Sequence, residues 1–152
     1  MEERRMDYHL LIQNAEALLG MTENRVSNLA NASALLYDAL PDINWAGFYL
    51  MENGRLELGP FQGKVACVMI RIGKGVCGTA VEKDATQLVP DVHKFPGHIA
   101  CDSASNSEIV VPLHKDGAVF GVLDIDSPLL DRFSEEDRAG LEAFARMVEK
   151  CL

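Results

Sequence analysis

The stretch Glu108-Ile109-Val110-Val111-Pro112-Leu113-His114-Lys115-Asp116-Gly117-Ala118-Val119-Phe120-Gly121-Val122-Leu123-Asp124-Ile125-Asp126 decides the fold class. Two β-branched, apolar runs, 108–113 and 118–125, flank a short polar turn. Asp-Gly in that turn supplies the positive φ angles that a tight hairpin needs. The strands are therefore antiparallel neighbours. Side chains alternate between faces along a strand, so Asp124 and Asp126 share one face and Ile125 points to the other. Glu108 opens the partner strand and is expected near the two aspartates. Acidic groups at the end of so apolar a strand are costly unless they are solvated or used.

Outward from this hairpin the same grammar recurs. Trp45-Ala46-Gly47-Phe48-Tyr49-Leu50 is aromatic and strand-like, Asn53-Gly54 marks a second hairpin, and 55–58 is the returning strand. Short strands are predicted at 65–70 and 88–89. Gly73-Lys74-Gly75-Val76-Cys77-Gly78 is a glycine-rich turn leading into a short helix at 79–82. Its letters match Gly-x-Gly-x-x-Gly, but the strand–helix–strand context of a dinucleotide site is missing. Before the first hairpin, Tyr8, Leu11, Ile12, Ala15, Leu18 and Leu19 form a helical stripe that Gly20 ends. Val26, Leu29, Ala30, Ser33, Ala34, Tyr37 and Leu40 form a second. After the second hairpin, Ser134 followed by Glu135, Glu136 and Asp137 is a helix start, with Ala139, Leu141, Phe144, Ala145 and Val148 as its apolar face. Helices at both ends of the chain and hairpins in the middle predict an α+β fold, a central, mostly antiparallel sheet flanked by N-terminal and C-terminal helices.

The chain has 152 residues, and 48% of them are hydrophobic, enough to bury a core in one domain spanning 1–152. No apolar run approaches the about 20 residues that cross a bilayer, and no apolar segment follows the charged N-terminus, so neither a membrane span nor a secretory signal is expected. Lys and Arg number 14 against 23 Asp and Glu, a net charge of −9. That balance repels phosphate backbones and argues against nucleic acid as a partner. Without a secretory signal, the expected compartment is the reducing cytoplasm, where the four cysteines are packing residues or chemistry rather than permanent staples.

Three of those cysteines, Cys67, Cys77 and Cys101, fall within 35 residues. Cys101 lies in a long predicted loop, 91–107, with His98 before it and Asp102, Ser103, Ser105 and Ser107 after it. Loops of that length in compact domains are usually functional. A lone cysteine there is more often a small packing residue. A thiolate oxidised to a sulfenic acid, however, needs a second thiol to close a disulfide, and either Cys67 or Cys77 is available. Cys151 sits past the last helical turn as a spectator. The same loop offers His93, His98 and Cys101 as metal ligands, but there is no Cys-x-x-Cys and no His-x-x-x-His, so no metal is expected. Glu108, Asp124 and Asp126 beside a thiolate would suit a small molecule bearing an ammonium group, and one of them held as the acid could donate a proton. Trp45, Phe48 and Tyr49 are either core or an aromatic wall for a thioether or methyl group.

A resemblance covers about 38–133. Phe61-Gln62-Gly63-Lys64, Ala66-Cys67, Gly73-Lys74-Gly75-Val76-Cys77-Gly78-Thr79-Ala80, Val89-Pro90-Asp91-Val92-His93, Phe95-Pro96-Gly97-His98-Ile99-Ala100-Cys101-Asp102-Ser103-Ala104-Ser105 and Ser107-Glu108-Ile109-Val110-Val111-Pro112 resemble the free methionine-(R)-sulfoxide reductases, which are GAF-domain enzymes. The resemblance implies a GAF fold, with helices on one side of the sheet and loops closing a small-molecule pocket on the other. It implies an oxidoreductase of the oxidative-stress response that reduces free L-methionine-(R)-S-oxide rather than the sulfoxide in proteins. It makes Cys101 the nucleophile, Cys67 the principal resolving cysteine and Cys77 an auxiliary one. It also makes Glu108, Asp124 and Asp126 the acids that hold the substrate ammonium and polarise the sulfoxide, with Trp45 and Tyr49 lining the pocket.

The implied chemistry is a redox-active disulfide cycle. The Cys101 thiolate attacks the sulfoxide sulfur while an acid with a raised pKa supplies the proton that the oxygen needs. Methionine leaves, Cys101 remains as the sulfenic acid, and Cys67 closes a disulfide on it. Thioredoxin returns the enzyme to its reduced form, drawing indirectly on NADPH through thioredoxin reductase, and no cofactor is bound. The resemblance also implies a homodimer, for which the helical ends offer an interface. The alternative reading is a non-catalytic GAF sensor domain that binds a small molecule.

Overall fold

The computed structural model describes residues 6–97 and 104–152. Six strands form one sheet in the order β3-β2-β1-β6-β5-β4. They are β1 (Trp45–Glu52), β2 (Arg55–Gly63), β3 (Met69–Ile70), β4 (Gln87–Val89), β5 (Ser107–Lys115) and β6 (Ala118–Ser127), and every neighbouring pair is antiparallel. Both tight hairpins form where Asn53-Gly54 and Asp116-Gly117 stand, with φ of 54° and 77° at the first pair and 54° and 80° at the second. Two consecutive positive φ angles are the twist-compatible solution for a two-residue loop.

Helices α1 (Tyr8–Leu19), α2 (Arg25–Ala39) and α4 (Glu135–Glu149) cover one face of the sheet. Leu11, Ala15, Leu19, Leu29, Leu36, Leu141, Phe144 and Val148 from the helices meet Ala46, Phe48, Ile109, Val111, Leu123 and Ile125 from the strands. Helix α4 begins with a full capping box: Asp137 N donates to Ser134 Oγ and Ser134 N donates to Asp137 Oδ2. Gly140 of α4 lies where a Cβ would strike the Tyr8 ring at 2.2 Å, so this glycine sets how closely α1 approaches.

Helix α3 (Gly75–Lys83) packs on the opposite face, against β3 to β6. A second apolar cluster forms there from Trp45, Tyr49, Leu56, Ile70, Val76, Ala80, Val89, Val92, Val110 and Val122. The α+β expectation and the hairpin pairing hold. Several boundaries differ. The strand predicted at 65–70 is only Met69–Ile70, because β2 pairs with just Leu56 and Glu57 there. Helix α3 starts at Gly75, four residues early, since the glycine turn itself joins the helix. The loop 91–107 contains a 3-10 turn at Val92–Lys94. Val26, Ala34, Tyr37 and Ala139 are exposed, whereas Ala32, Leu36 and Met147 are buried: the buried stripes of α2 and α4 are rotated from those predicted. Among the described residues, no helix is long and apolar enough to cross a membrane.

Candidate functional site

The second face of the sheet carries the site. Antiparallel register places Glu108 opposite Asp126, Val110 opposite Asp124, Trp45 opposite Asp126 and Gly47 opposite Asp124. Strand alternation thus brings three carboxylates to one patch of three adjacent strands, as the hairpin predicts. Gly47 is required here, since a Cβ would lie 2.3 Å from the Cβ of Phe61. That close approach lets the Phe61 ring stack on Trp45, with centroids 5.1 Å apart and planes 15° from parallel. Trp45 in turn stacks on Tyr49 at 5.9 Å. The result is an aromatic wall beside an acidic floor.

Both aromatic residues also fix the rim. Trp45 Nε1 donates to the Lys64 carbonyl at 3.1 Å, and the Tyr49 hydroxyl donates to the Cys67 carbonyl at 3.0 Å. The segment after β2 is thereby tied over the aromatic wall. The pocket there is lined by Trp45, Tyr49, Cys77, Glu108, Asp124 and Asp126, with Ser105 and Lys74 beside them. Phe48, the third aromatic candidate, belongs to the helical face and is fully buried there. Its position one residue from Tyr49 in alternation explains the difference.

Glu108 and Asp124 are buried, and among the described residues neither forms an ion pair, while Asp126 is half-buried beside them. Glu108 is 8% exposed and Asp124 5%. Burial first, and then the charges of Asp124 and Asp126, push the Glu108 carboxyl well above the usual carboxylate range. Burial raises Asp124 too, partly offset by hydrogen bonding with Glu108, Asp126 and Cys77. Asp124 Oδ1 takes no N–H or O–H hydrogen bond among the described residues. Such an acceptor is costly without a ligand donor. Cys77 Sγ lies 3.9 Å from Glu108 Oε2. Burial and the neighbouring carboxylates keep this thiol protonated, with a pKa well above normal. The Tyr49 hydroxyl is raised for the same reasons, burial leading.

Cys67 is disulfide-bonded, whereas Cys77 and Cys151 are free. Cys101 and His98, singled out in the sequence, lie outside the described residues, as do Asp102 and Ser103. Cys151 packs with the helical cluster across the sheet, its thiol 3.6 Å from the Leu19 carbonyl, far from the pocket face. His93 meets Asn106 Oδ1 at 3.0 Å. The metal set weighed in the sequence therefore has only His93 within the described residues. A different trio, Cys77, Glu108 and Asp124, has one ligand atom each within 4.8 Å of the others. Burial pushes the pKa of all three upward, and metal binding requires their deprotonated forms.

Sequence reasoning missed Ser105, Lys74, Ile70 and Val76 as pocket residues. Ser105 is buried and accepts from Asn44 Nδ2 at 3.1 Å, a contact 61 residues long in sequence. Val76 sits beside Cys77 at the start of α3, so recognising that the glycine turn opens the helix is the signal that could have found it.

Comparison with known proteins agrees with this geometry. The GAF domain family model matches residues 14–152. The free methionine-R-sulfoxide reductase of Escherichia coli K12 is 54% identical over 145 residues, covering 95% of this chain and 88% of that one. The enzyme of the same name from Saccharomyces cerevisiae is 51% identical, covering 92% and 82%. The structure of the Staphylococcus aureus fRMsr in complex with its substrate superposes with a TM-score of 0.93 at 53% identity, covering 100% of this chain and 99% of that one.

Proposed function

The chain belongs to the GAF domain family, among the free methionine-R-sulfoxide reductases, and we propose that it reduces free methionine-R-sulfoxide to methionine by a thiol cycle centred on Cys101. The observation that carries this reading is the gathering of Glu108, Asp124 and Asp126 beside the aromatic wall, with Glu108 and Asp124 buried. An internal methionine sulfoxide residue has no ammonium to place there. A free amino acid does, and its charge would stabilise the ionised carboxylates that burial disfavours.

The division of labour follows from protonation. Glu108, whose carboxyl is pushed well above the usual carboxylate range by burial and by the neighbouring aspartates, is suited to hydrogen-bond or protonate the sulfoxide oxygen as the sulfur–oxygen bond breaks. Asp124, with a bare buried oxygen, is suited to the ammonium. Trp45 and Tyr49 would hold the methyl group and backbone against ring faces. The Cys101 thiolate attacks the sulfoxide sulfur, and proton delivery completes the exchange to methionine and a Cys101 sulfenic acid. The Cys67 thiol then displaces water from that sulfenic acid, giving a Cys67–Cys101 disulfide. The disulfide at Cys67 is consistent with the oxidised end of such a cycle. Cys77, kept neutral by its surroundings, is a poor nucleophile there and serves as an auxiliary thiol.

Thioredoxin is the proposed reductant, supplied with electrons from NADPH through thioredoxin reductase, with no bound cofactor. A cytoplasmic location would keep that reductant available. A homodimer is proposed through the helical side, where Val26 and Tyr37 of α2 are 67% and 41% exposed. The test is single turnover. Reduced protein is mixed with the R or the S sulfoxide, and methionine and thiols are counted. One methionine formed and two thiols lost per chain, with the R form alone, is the expected result. No methionine and unchanged thiols would leave a non-catalytic GAF ligand sensor as the better account.

A further inference from the structure

We infer that the segment 64–74 is the docking surface for the protein dithiol that reopens the Cys67 disulfide, and that this partner presents an acidic rim; the inference rests on the reductase reading above. Three observations converge on the segment. From Leu58 to Val81 there is no Asp or Glu, although the chain carries 23. Lys64, Arg71 and Lys74 in that span are exposed. Four of the eleven large apolar residues exposed among the described residues, Val65, Val68, Met69 and Ile72, fall within eight positions of one another, at 87%, 71%, 50% and 41% exposure. Single exposed apolar side chains are ordinary, but a contiguous group is the mark of an interaction site.

The exposure is built in. The backbone beneath these side chains is held by the Trp45–Lys64 and Tyr49–Cys67 hydrogen bonds, by Leu58 N donating to the Val68 carbonyl, and by the β2–β3 pairing. The apolar groups are therefore exposed on a held backbone, with the half-buried Cys67 between Val65 and Val68 in sequence. Two acids border it. Glu57 is paired with Arg55 at 3.1 Å, and Glu82 lies against Gly73 at the helical edge. A chain of net charge −9 repels an acidic partner over most of its surface, so an acid-free, basic and apolar collar orients such a partner onto the one disulfide it must reach. Val65 and Lys74 also line the pocket, so the collar borders the substrate site.

The exchange is balanced. A partner thiolate attacks Cys67 Sγ, forming a mixed disulfide and releasing as a thiol the cysteine to which Cys67 was joined. The second partner thiol attacks the partner's own sulfur, freeing Cys67. The partner leaves as a disulfide, and two electrons have entered this chain.

The test compares two reductants on the full chain. Val68→Asp and Arg71→Glu, alone and together, change the collar without touching a pocket-lining residue. With thioredoxin as reductant, the double variant is expected to raise the KM for thioredoxin roughly tenfold or more, and the unsubstituted protein's rate is expected to fall with added salt. With dithiothreitol, turnover is expected within about twofold of the unsubstituted protein, since a small dithiol needs no docking surface. An unchanged thioredoxin KM would overturn the inference, and so would equal losses with both reductants. Absence of dithiothreitol-driven turnover in the unsubstituted protein is a different result: it removes the reductase reading itself, and the docking inference with it.

Discussion

The two faces of the sheet are made from the same three strands, one residue apart, and they obey opposite rules. Under the helices, Ile109 pairs with Ile125, Val111 with Leu123 and Phe48 with Leu123. All are apolar and at most 2% exposed. On the pocket face, Glu108 pairs with Asp126, and Asp124 lies two residues along the same strand. Like charges directly opposite one another are destabilising, and their burial adds a desolvation cost. The contrast teaches where stability and function reside. One face holds the fold together, and the other gathers carboxylates at a cost in stability, which the proposed function assigns to holding a substrate ammonium.

The sharpest way to break this comparison is to substitute once on each face. Phe48→Ala removes a fully buried ring from the helical face and is expected to cost about 3–5 kcal/mol of stability, read as a lowered urea midpoint. Its intact pocket should keep substrate affinity wherever the protein stays folded. Asp124→Asn is the converse. It removes a buried charge at constant shape, so stability should be unchanged or higher. Turnover on free methionine-R-sulfoxide should fall roughly 10²–10³-fold, the range for losing one preorganised electrostatic contact. A destabilised Asp124→Asn protein with normal turnover would abolish the distinction between the faces.

The pH dependence of stability sharpens it further. Glu108 and Asp124 bind protons more tightly in the folded chain than in the unfolded chain, because their folded pKa values are raised, mainly by burial. The folded state then binds more protons than the unfolded state as pH rises past the unfolded carboxylate range, about 4. Stability contributed by these groups is complete below that range and is lost as pH climbs through their folded values. Glu108→Gln should flatten this decline: its melting temperature relative to the unsubstituted protein should rise steadily from acid to neutral pH. A constant difference across that range would show that Glu108 is ionised at neutral pH, and the proton-donor role would go with it. Substrate should act in the opposite direction to burial, since its ammonium favours the ionised acids. Binding should therefore release protons, detectable as calorimetric heats that vary with the buffer.

How much of this was legible in the sequence depended on the range of the interactions. The hairpins were readable because Asn53-Gly54 and Asp116-Gly117 encode their turns locally. Strand alternation then placed Glu108, Asp124 and Asp126 together before any coordinates. The helical stripes were less secure. Val26 and Ala34 fit a 3.6-residue period as well as Ala32 and Leu36 do, and only docking against β1 and β2 chooses between them. Ser105 and Lys74 reach the pocket through chain segments brought together by the whole fold, and no local pattern announces that. Phe48 and Tyr49 look alike as aromatic strand residues, and register alone sends them to opposite faces.

The smallest expected effect tests whether the helical face is silent in function. Ser134 caps α4 through a box with Asp137, whose carboxylate also takes the Tyr8 hydroxyl and the Arg132 guanidinium at 2.6 and 3.1 Å. Ser134→Ala removes the acceptor for the Asp137 backbone N–H and leaves those other two contacts in place. The cost should be about 1 kcal/mol, seen as a modest fall in melting temperature. Helix α4 packs on β5 only through the face opposite the acids, with Leu141, Phe144 and Val148 between. A rigid, close-packed layer of this kind can lose a cap without moving the strand register that aligns Glu108 with Asp126. Turnover and the pH profile of Ser134→Ala should therefore match those of the unsubstituted protein. A shifted profile would mean that α4 tunes the acids through β5, and that the two faces are coupled rather than merely back to back.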